Sequence, residues 1–155
     1  MSTLKTSILG IDFENPFLLA SAPPTASIES IDKAFEMGWG GAVLKTITPD
    51  DLEMVEASPR YATYKEKGKV LCFQNIELLS HETVQYWVDG IRYLKEKHPT
   101  KVIIASIMAP VDRKAWQNLV KTLNETLIDA YELNFSCPHG MPERNIGMAI
   151  GTSSE

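Results

Sequence analysis

The sequence predicts an α/β fold in which parallel strands form a sheet covered by helices. Two features of the 155-residue chain indicate it. Short apolar runs of strand length alternate with longer segments in which apolar residues recur every three or four positions. The apolar runs are continuous, which is typical of strands buried on both faces of a parallel sheet. The helical segments between them supply the crossovers that parallel strands require.

The chain begins with a predicted hairpin, a first sheet strand and a first helix. Residues 4–15 (LKTSILGIDFEN) are expected to form the hairpin, with Gly10 near its turn. The apolar run 16–23 is the first sheet strand, and the helix covers residues 27–38, where Gly38 supplies a left-handed stop. The buried face of this helix is predicted to contain Ile28, Ile31, Ala34 and Phe35.

The same alternation continues through the rest of the chain. A second helix is predicted to open on Ser80 as its N-cap and to end before Pro99. A third helix covers residues 112–127, and its apolar stripe contains Trp116, Leu119, Val120, Leu123 and Leu127. The other sheet strands are predicted at residues 40–47, 101–108 and 130–136.

One long segment, residues 48–75, interrupts the alternation of strands and helices. It is too long for a bare connection, so we expect an excursion with functional content. Cys72 lies in it between apolar neighbours and is expected to be a small buried hydrophobic residue.

The last residues, GTSSE, carry a helix-start pattern. Thr152 stands three residues before Glu155, as in a capping box, so a further helix is expected to begin there. Four strand–helix units followed by a new helix fit the front half of an eight-stranded (β/α)8 barrel. They fit a complete doubly wound domain equally well, and the pattern alone leaves both architectures open.

Composition and charge exclude several classes of function. The formal net charge is -5 and the 15 basic residues are scattered, which argues against a nucleic-acid partner. No apolar run reaches the roughly 18 residues of a membrane span, and the N-terminus lacks a secretory signal. Cys72 and Cys137 lie far apart, so neither a disulfide framework nor a metal site is predicted. We therefore expect a cytoplasmic protein without a metal.

Polar residues follow the predicted strands at the points where those strands end. In parallel sheets, functional groups collect at the carboxyl ends of the strands. Ser21 follows the first strand, and Lys45 and Thr46 lie at the end of the second. The fourth strand ends in a run of polar and thiol groups, and Asn75, at the end of the excursion, can reach the same edge. That run contains Asn134, Ser136 and Cys137.

Two of these side chains carry the sharpest chemical alternatives. A buried Lys45 ammonium needs an anionic or electron-rich partner such as a flavin or a phosphate, unless the side chain extends to solvent. Cys137 is an inert buried thiol, a nucleophile paired with His139, or a general acid or base. A thiol, with an ordinary pKa of about 8.5, can hold and deliver a proton at neutral pH. A Cys-x-His metal site would need more ligands than the sequence offers.

Several segments carry a family resemblance: NPFLLASAPP, GWGGAVLKT, FQNIELLS, VIIASIM and ELNFSCPHGMPERNIGMAIG. From about Asn15 to Gly151, the chain resembles the FMN-binding barrel of the dihydroorotate dehydrogenase superfamily. It is most similar to the branch of dihydropyrimidine dehydrogenases. Enzymes acting on dihydroorotate typically have asparagine where this chain has His139. They also tend to have an NSxGLxN stretch where this chain has QNIELLS.

The resemblance implies a role for each matching residue. It implies FMN contacts by Ala20, Ser21, Lys45 and Thr46, and a pyrimidine pocket formed by Asn75, Asn134, Phe135 and Ser136. It also implies that hydride passes from flavin N5 to C6 of uracil or thymine, and that Cys137 delivers a proton to C5. The runner-up activity is that of a dihydroorotate dehydrogenase in which Cys137 acts as the base.

The resemblance also implies parts that the 155 residues lack. In the family, glycine-rich loops after later strands hold the FMN phosphate. We therefore expect residues 1–155 to form a single partial barrel domain, the N-terminal half, that is inactive alone. Iron–sulfur clusters and NAD(P)H are expected only in missing parts or in a partner subunit that oxidises NAD(P)H. A non-catalytic fragment stabilised by self-association, as a homo-oligomer, is a further alternative.

Overall fold

Eight strands and four α-helices lie in the part of the chain that the computed structural model describes, residues 4–52, 58–137 and 145–153. The strands are β1 (Thr6–Ile8), β2 (Ile11–Phe13), β3 (Leu18–Leu19), β4 (Gly41–Val43), β5 (Tyr61–Glu66), β6 (Lys69–Asn75), β7 (Val102–Ile107) and β8 (Ala130–Leu133). The helices are α1 (Ile28–Glu36), α2 (Val84–Lys97), α3 (Arg113–Leu123) and α4 (Met148–Gly151), and a 3-10 turn at Pro23–Thr25 precedes α1.

The central sheet contains β3, β4, β7 and β8 in that order, and every neighbouring pair is parallel. One helix connects each strand to the next: α1 after β3, α2 after β4 and α3 after β7. Strands that are consecutive in this series are also adjacent in space, as in a (β/α)8 barrel, whereas a doubly wound sheet reverses its order at a switch point. The predicted α/β fold is confirmed, and the topology matches part of such a barrel.

The core forms where the apolar stripes of α1, α2 and α3 meet the buried sheet. Trp87 and Ile91 of α2 are fully buried, as is Ile31 of α1. Each large aliphatic side chain removed from water contributes roughly 1.5–3 kcal/mol. The predicted helix faces are therefore confirmed, with one exception. Leu127 is 73% exposed because α3 ends at Leu123, where Thr126 donates its hydroxyl to the Leu123 carbonyl at 2.6 Å.

The helix starts follow from side-chain caps. Ser27 accepts a hydrogen bond from the Ser30 amide at the start of α1. The predicted N-cap of α2, Ser80, is wrong: the cap is Thr83, whose hydroxyl accepts from the Tyr86 amide at 3.1 Å. Ser80 is instead buried, and its hydroxyl accepts from the Trp87 indole nitrogen at 2.9 Å. Ser80 thus pairs a buried indole rather than a helix end, and its own amide donates to the Thr46 carbonyl at 2.9 Å.

The predicted N-terminal hairpin is present. Strands β1 and β2 pair across a two-residue turn in which Leu9 and Gly10 both have positive φ. Beyond it, the Glu14 carboxylate accepts hydrogen bonds from Thr100 and Lys101, just before β7. The hydrogen bond from Lys101 lowers the Glu14 pKa. The hairpin therefore lies at the amino ends of the sheet strands, opposite the ends predicted to carry function.

The long excursion contains a second hairpin, and residues 53–57 lie outside the described part of the chain. Strands β5 and β6 pair antiparallel with each other alone among the described strands, and every residue of both is exposed. Cys72 is exposed with them, so the prediction of a buried thiol is wrong. Its apolar neighbours gave a misleading signal because a two-stranded ribbon has no buried face here.

The predicted helix start at Thr152 is also wrong. Residues Met148–Gly151 form a short helix that ends at Thr152, whose hydroxyl donates to the Met148 carbonyl at 2.8 Å. Glu155, the other half of the expected capping box, lies outside the described residues. Of the helices in the described ranges, none combines the length and apolar character needed to cross a lipid bilayer.

A group of charged side chains ties α1 to the end of α2. Asp32 accepts hydrogen bonds from Lys97 at 2.8 Å and from Tyr93 at 3.1 Å, and it lies 2.6 Å from the His98 Nε2 atom. The hydrogen bond from Lys97, followed by the one with His98, lowers the pKa of Asp32 to about 2. Because the ionised carboxylate is favoured in the folded state, it stabilises this helix pair above the ordinary carboxyl pKa.

We predict that Asp32→Asn destabilises the chain by about 1 kcal/mol at neutral pH, as expected for a partly exposed ion pair. The Asp32 contribution is present above pH about 4 and is lost as the pH falls through about 2. The free energy of unfolding of the variant should therefore change less between these two pH values. Urea unfolding measures both effects. Glu29→Gln, at an exposed position on the same helix, is the control for loss of one carboxylate from α1 and should destabilise the chain less than Asp32→Asn.

Candidate active site

A cleft of about 470 Å³ opens at the carboxyl ends of the sheet strands β3, β4 and β8. It brings together six of the nine predicted site residues: Ser21, Lys45, Thr46, Asn134, Ser136 and Cys137. The other lining residues are Glu77, Leu78, Leu79, Glu132 and Leu133. Each predicted residue of the cleft follows a strand: Ser21 follows β3, Lys45 and Thr46 follow β4, and the last three follow β8. The parallel topology therefore assembles the cleft.

Lys45 is buried in the cleft, with a relative exposure of 7%. Its Nζ atom donates to the Glu77 carboxylate at 2.8 Å, and its backbone amide donates to the Thr25 carbonyl. The predicted need for an anionic partner is met within the chain, and the alternative of a side chain extended to solvent is wrong. Glu77 was missed from the sequence. Its signal was a single carboxylate in an otherwise apolar run, IELL, directly after a strand.

A cluster of hydroxyl groups lies beneath the cleft and joins the four strands. The Thr46 Oγ1 atom accepts from the Asn134 amide at 3.2 Å. It lies 2.9 Å from Ser106 Oγ and 3.4 Å from Ser21 Oγ. Ser106 is fully buried in β7 and was missed from the sequence, because it stands inside an apolar strand. Since burial strengthens such hydrogen bonds, the cluster fixes the positions of Ser21, Thr46 and Asn134.

Asn134 turns the chain out of β8 and places the thiol. Its Oδ1 atom accepts hydrogen bonds from the backbone amides of Ser136 and Cys137, both at 3.2 Å. An asparagine side chain that pairs with the backbone two or three residues ahead stabilises a tight turn. The turn brings Cys137 back over the cleft, where it is half-buried.

Residues that follow the undescribed range 138–144 contact Cys137 from the other side. The Met148 amide donates to the Cys137 carbonyl at 3.1 Å. Cys137 also packs against a small buried cluster of Leu79, Met108 and Ile146. His139, the proposed partner of a nucleophilic thiol, lies outside the described residues.

The structure places the other three predicted residues elsewhere. The Asn75 amide donates to the second Glu77 carboxylate oxygen at 2.8 Å, so this exposed residue contacts the site through Glu77. The Phe135 ring packs edge-to-face against Trp116, with 5.6 Å between ring centroids, and does not line the cleft. Ala20 is exposed outside the cleft lining, and its carbonyl accepts from the Thr25 hydroxyl.

The sequence matches the family model described as Dihydroorotate dehydrogenase over residues 3–153. The chain belongs to the dihydroorotate dehydrogenase family. This membership confirms the resemblance drawn from the motifs.

Two similar relatives are dihydropyrimidine dehydrogenases. The chloroplastic dihydropyrimidine dehydrogenase (NADP(+)) of Arabidopsis thaliana is 36% identical over 154 residues, which cover 96% of this chain and 36% of the relative. The NAD-dependent dihydropyrimidine dehydrogenase subunit PreA of Escherichia coli K12 is 37% identical over 98% of this chain and 36% of the relative.

A less similar relative is a subunit of a dihydroorotate dehydrogenase. The catalytic subunit of dihydroorotate dehydrogenase B (NAD(+)) of Thermoplasma acidophilum is 29% identical over this whole chain and 48% of the relative. The chain thus spans between about a third and a half of the length of these curated relatives. Their names support an oxidoreductase of this family.

We predict that Gly147→Ala disturbs the thiol more than it disturbs the rest of the fold. Gly147 has φ +61°, and an added Cβ would stand 2.6 Å from the Cys137 carbonyl oxygen and 3.1 Å from the Met108 sulfur. The clash and the backbone strain should destabilise the chain by about 1–3 kcal/mol. They should also increase the rate of Cys137 alkylation relative to exposed Cys72, measured by peptide mapping.

Gly10→Ala is the matched control for this substitution. Gly10 also has positive φ, at +80°, but a Cβ there would meet nothing within 4 Å. This variant should lose stability without changing the ratio of Cys137 to Cys72 alkylation. Equal ratios in the two variants would show that Gly147 does not position the thiol.

Proposed function

We propose that this chain forms the FMN- and pyrimidine-contacting part of an enzyme that reduces the 5,6-double bond of uracil or thymine. The observation that carries the proposal is the cleft itself, in which the Cys137 thiol, the Asn134 amide and the Lys45 ammonium converge at one end of the sheet. The higher identity to the dihydropyrimidine dehydrogenases than to the dihydroorotate dehydrogenase B subunit favours this substrate class.

The donor groups of the cleft suit the polar edge of a flavin ring. That edge presents carbonyl oxygens and ring nitrogens, and the buried ammonium of Lys45 and the hydroxyls of Ser21 and Thr46 are hydrogen-bond donors of the right kind. We assign these three residues, with the backbone at Ala20, to FMN. Bound FMN would supply the hydride that adds to C6 of the pyrimidine.

The amides of the cleft suit a pyrimidine base, whose edge alternates donors and acceptors. We assign Asn134, Ser136, Asn75 and the backbone of Phe135 to its recognition. The Asn134 side chain is held by hydrogen bonds to Thr46 and to the backbone after β8, so little side-chain entropy is lost on binding. A fixed amide of this kind discriminates strongly against rings that lack the matching groups.

Cys137 is the residue that holds the proton. Its backbone is fixed on two sides, by Asn134 through its amide and by Met148 through its carbonyl. A thiol placed in this way can deliver its proton to C5 of the pyrimidine as C6 accepts hydride, which completes the reduction of the double bond. In the reverse direction, the same residue would act as the base, as in the alternative dihydroorotate dehydrogenase.

We also propose that the domain works only within a larger barrel. The outer edges of β3 and β8 pair with no other strand among the described residues. Unpaired edges in a barrel fold are completed by further strands, which would also hold the FMN phosphate. We assign the oxidation of NAD(P)H, and any iron–sulfur clusters, to those parts or to a partner subunit in the cytoplasm.

Replacing Cys137 by alanine in the full-length protein tests the assigned chemistry. Loss of a general acid should lower kcat for uracil reduction by about 10²- to 10⁴-fold, with a smaller change in KM and unchanged flavin content. Cys72→Ser is the control, because Cys72 is exposed on the β5–β6 hairpin, and it should keep wild-type kcat. A Cys137→Ala enzyme with near wild-type kcat would exclude the thiol as proton donor.

The isolated 155-residue chain tests the requirement for a larger barrel. We expect it to bind little FMN and to reduce no pyrimidine, because the sheet edges and the phosphate site are incomplete. Flavin absorbance and dihydrouracil formation measure these two properties. Size-exclusion chromatography with light scattering separates a monomer from the self-associated alternative. Near-stoichiometric flavin together with turnover would contradict this part of the proposal.

A further inference from the structure

Glu77 lies in the cleft between the buried ammonium and the open side of the site. We propose that its carboxylate makes the cleft selective for uncharged pyrimidine rings and excludes rings that carry a carboxylate. This selectivity rests on the proposed function, since it concerns which pyrimidine the same cleft accepts. Glu77 is then a specificity-determining residue.

The charged groups that line the cleft disfavour an anionic ring. Among the described residues, its lining contains one ammonium, from Lys45, and two carboxylates, from Glu77 and Glu132. The ammonium is paired with Glu77 at 2.8 Å. A ring carboxylate that enters this cleft would therefore find its natural counter-ion already paired, and it would meet a net negative lining.

The two partners of the ion pair differ in their exposure to solvent. The Lys45 side chain is 8% exposed, whereas that of Glu77 is 42% exposed. The carboxylate thus forms the accessible side of the ion pair, and the ammonium lies behind it. An anion must approach the carboxylate before it can reach the lysine.

Two hydrogen bonds hold the Glu77 carboxylate in one orientation. One Glu77 oxygen accepts from Lys45 and the other from the Asn75 amide, both at 2.8 Å. A carboxylate held at both oxygens cannot rotate away from an incoming anion without leaving a buried ammonium unpaired, which is costly. An uncharged ring avoids this repulsion and can still use the amide and hydroxyl groups of the cleft.

The proposal is tested with Glu77→Gln in the full-length flavoprotein, using uracil and its 6-carboxylate, orotate, as probes. Calorimetry gives the dissociation constant of each probe, and steady-state kinetics gives kcat/KM. Removing the negative charge should improve orotate binding relative to uracil by about tenfold or more, because the repulsion between the two carboxylates is lost. Glu77→Asp keeps the charge and should retain the wild-type preference for uracil.

Glu82→Gln is the matched control, since it removes one negative charge from an exposed position of the same segment outside the cleft. It should leave the orotate-to-uracil ratio unchanged. The proposal is overturned if Glu77→Gln weakens or preserves both affinities equally, or if Glu82→Gln changes the ratio as much. A full-length protein that turns over neither uracil nor thymine would contradict the proposed function, whereas the calorimetric ratio would still decide the role of Glu77.

Discussion

Burial of the Lys45 ammonium constrains the whole cleft. An unpaired charge at the end of a buried strand is costly, so a carboxylate must lie within hydrogen-bond reach. Glu77 meets this need at 2.8 Å, and this pairing, together with the hydrogen bond from the Ser80 amide to the Thr46 carbonyl, holds the chain after the β5–β6 hairpin across the carboxyl ends of the sheet. Leu78 and Leu79 of the same segment then form part of the cleft wall. The ion pair therefore determines both the electrostatics and the shape of the site.

The hydroxyl cluster under the cleft depends on the same parallel sheet. Thr46 can lie near Ser106, Ser21 and Asn134 because adjacent parallel strands end at one edge. Asn134 uses its second polar atom for the turn that presents Cys137. A single asparagine thus links the packing of the sheet to the position of the thiol. The chemistry proposed for the thiol follows from this link, since a proton donor must be held within reach of its acceptor.

Much of the fold could be predicted from the sequence because burial leaves periodic patterns. The continuous apolar runs of the parallel strands and the helical spacing of Ile31 and Phe35 report directly which faces pack. Lys45 and Asn134 could be predicted as site residues, because both follow apolar runs and functional groups collect at the carboxyl ends of parallel strands. The failures arose where a side chain's surroundings depend on tertiary contacts that local patterns do not report. Ser80 was misassigned because its hydroxyl pairs with Trp87 rather than capping a helix.

Other residues have roles that no local pattern defines. Ser106 lies inside an apolar strand, and only the proximity of Thr46 gives it a role. Glu77 acquires its role from Lys45, 32 positions earlier in the chain. The most direct test of the account is kcat/KM of the wild-type full-length protein for uracil, thymine and orotate. The account predicts that uracil or thymine is reduced with the higher kcat/KM. A clear preference for orotate would contradict it.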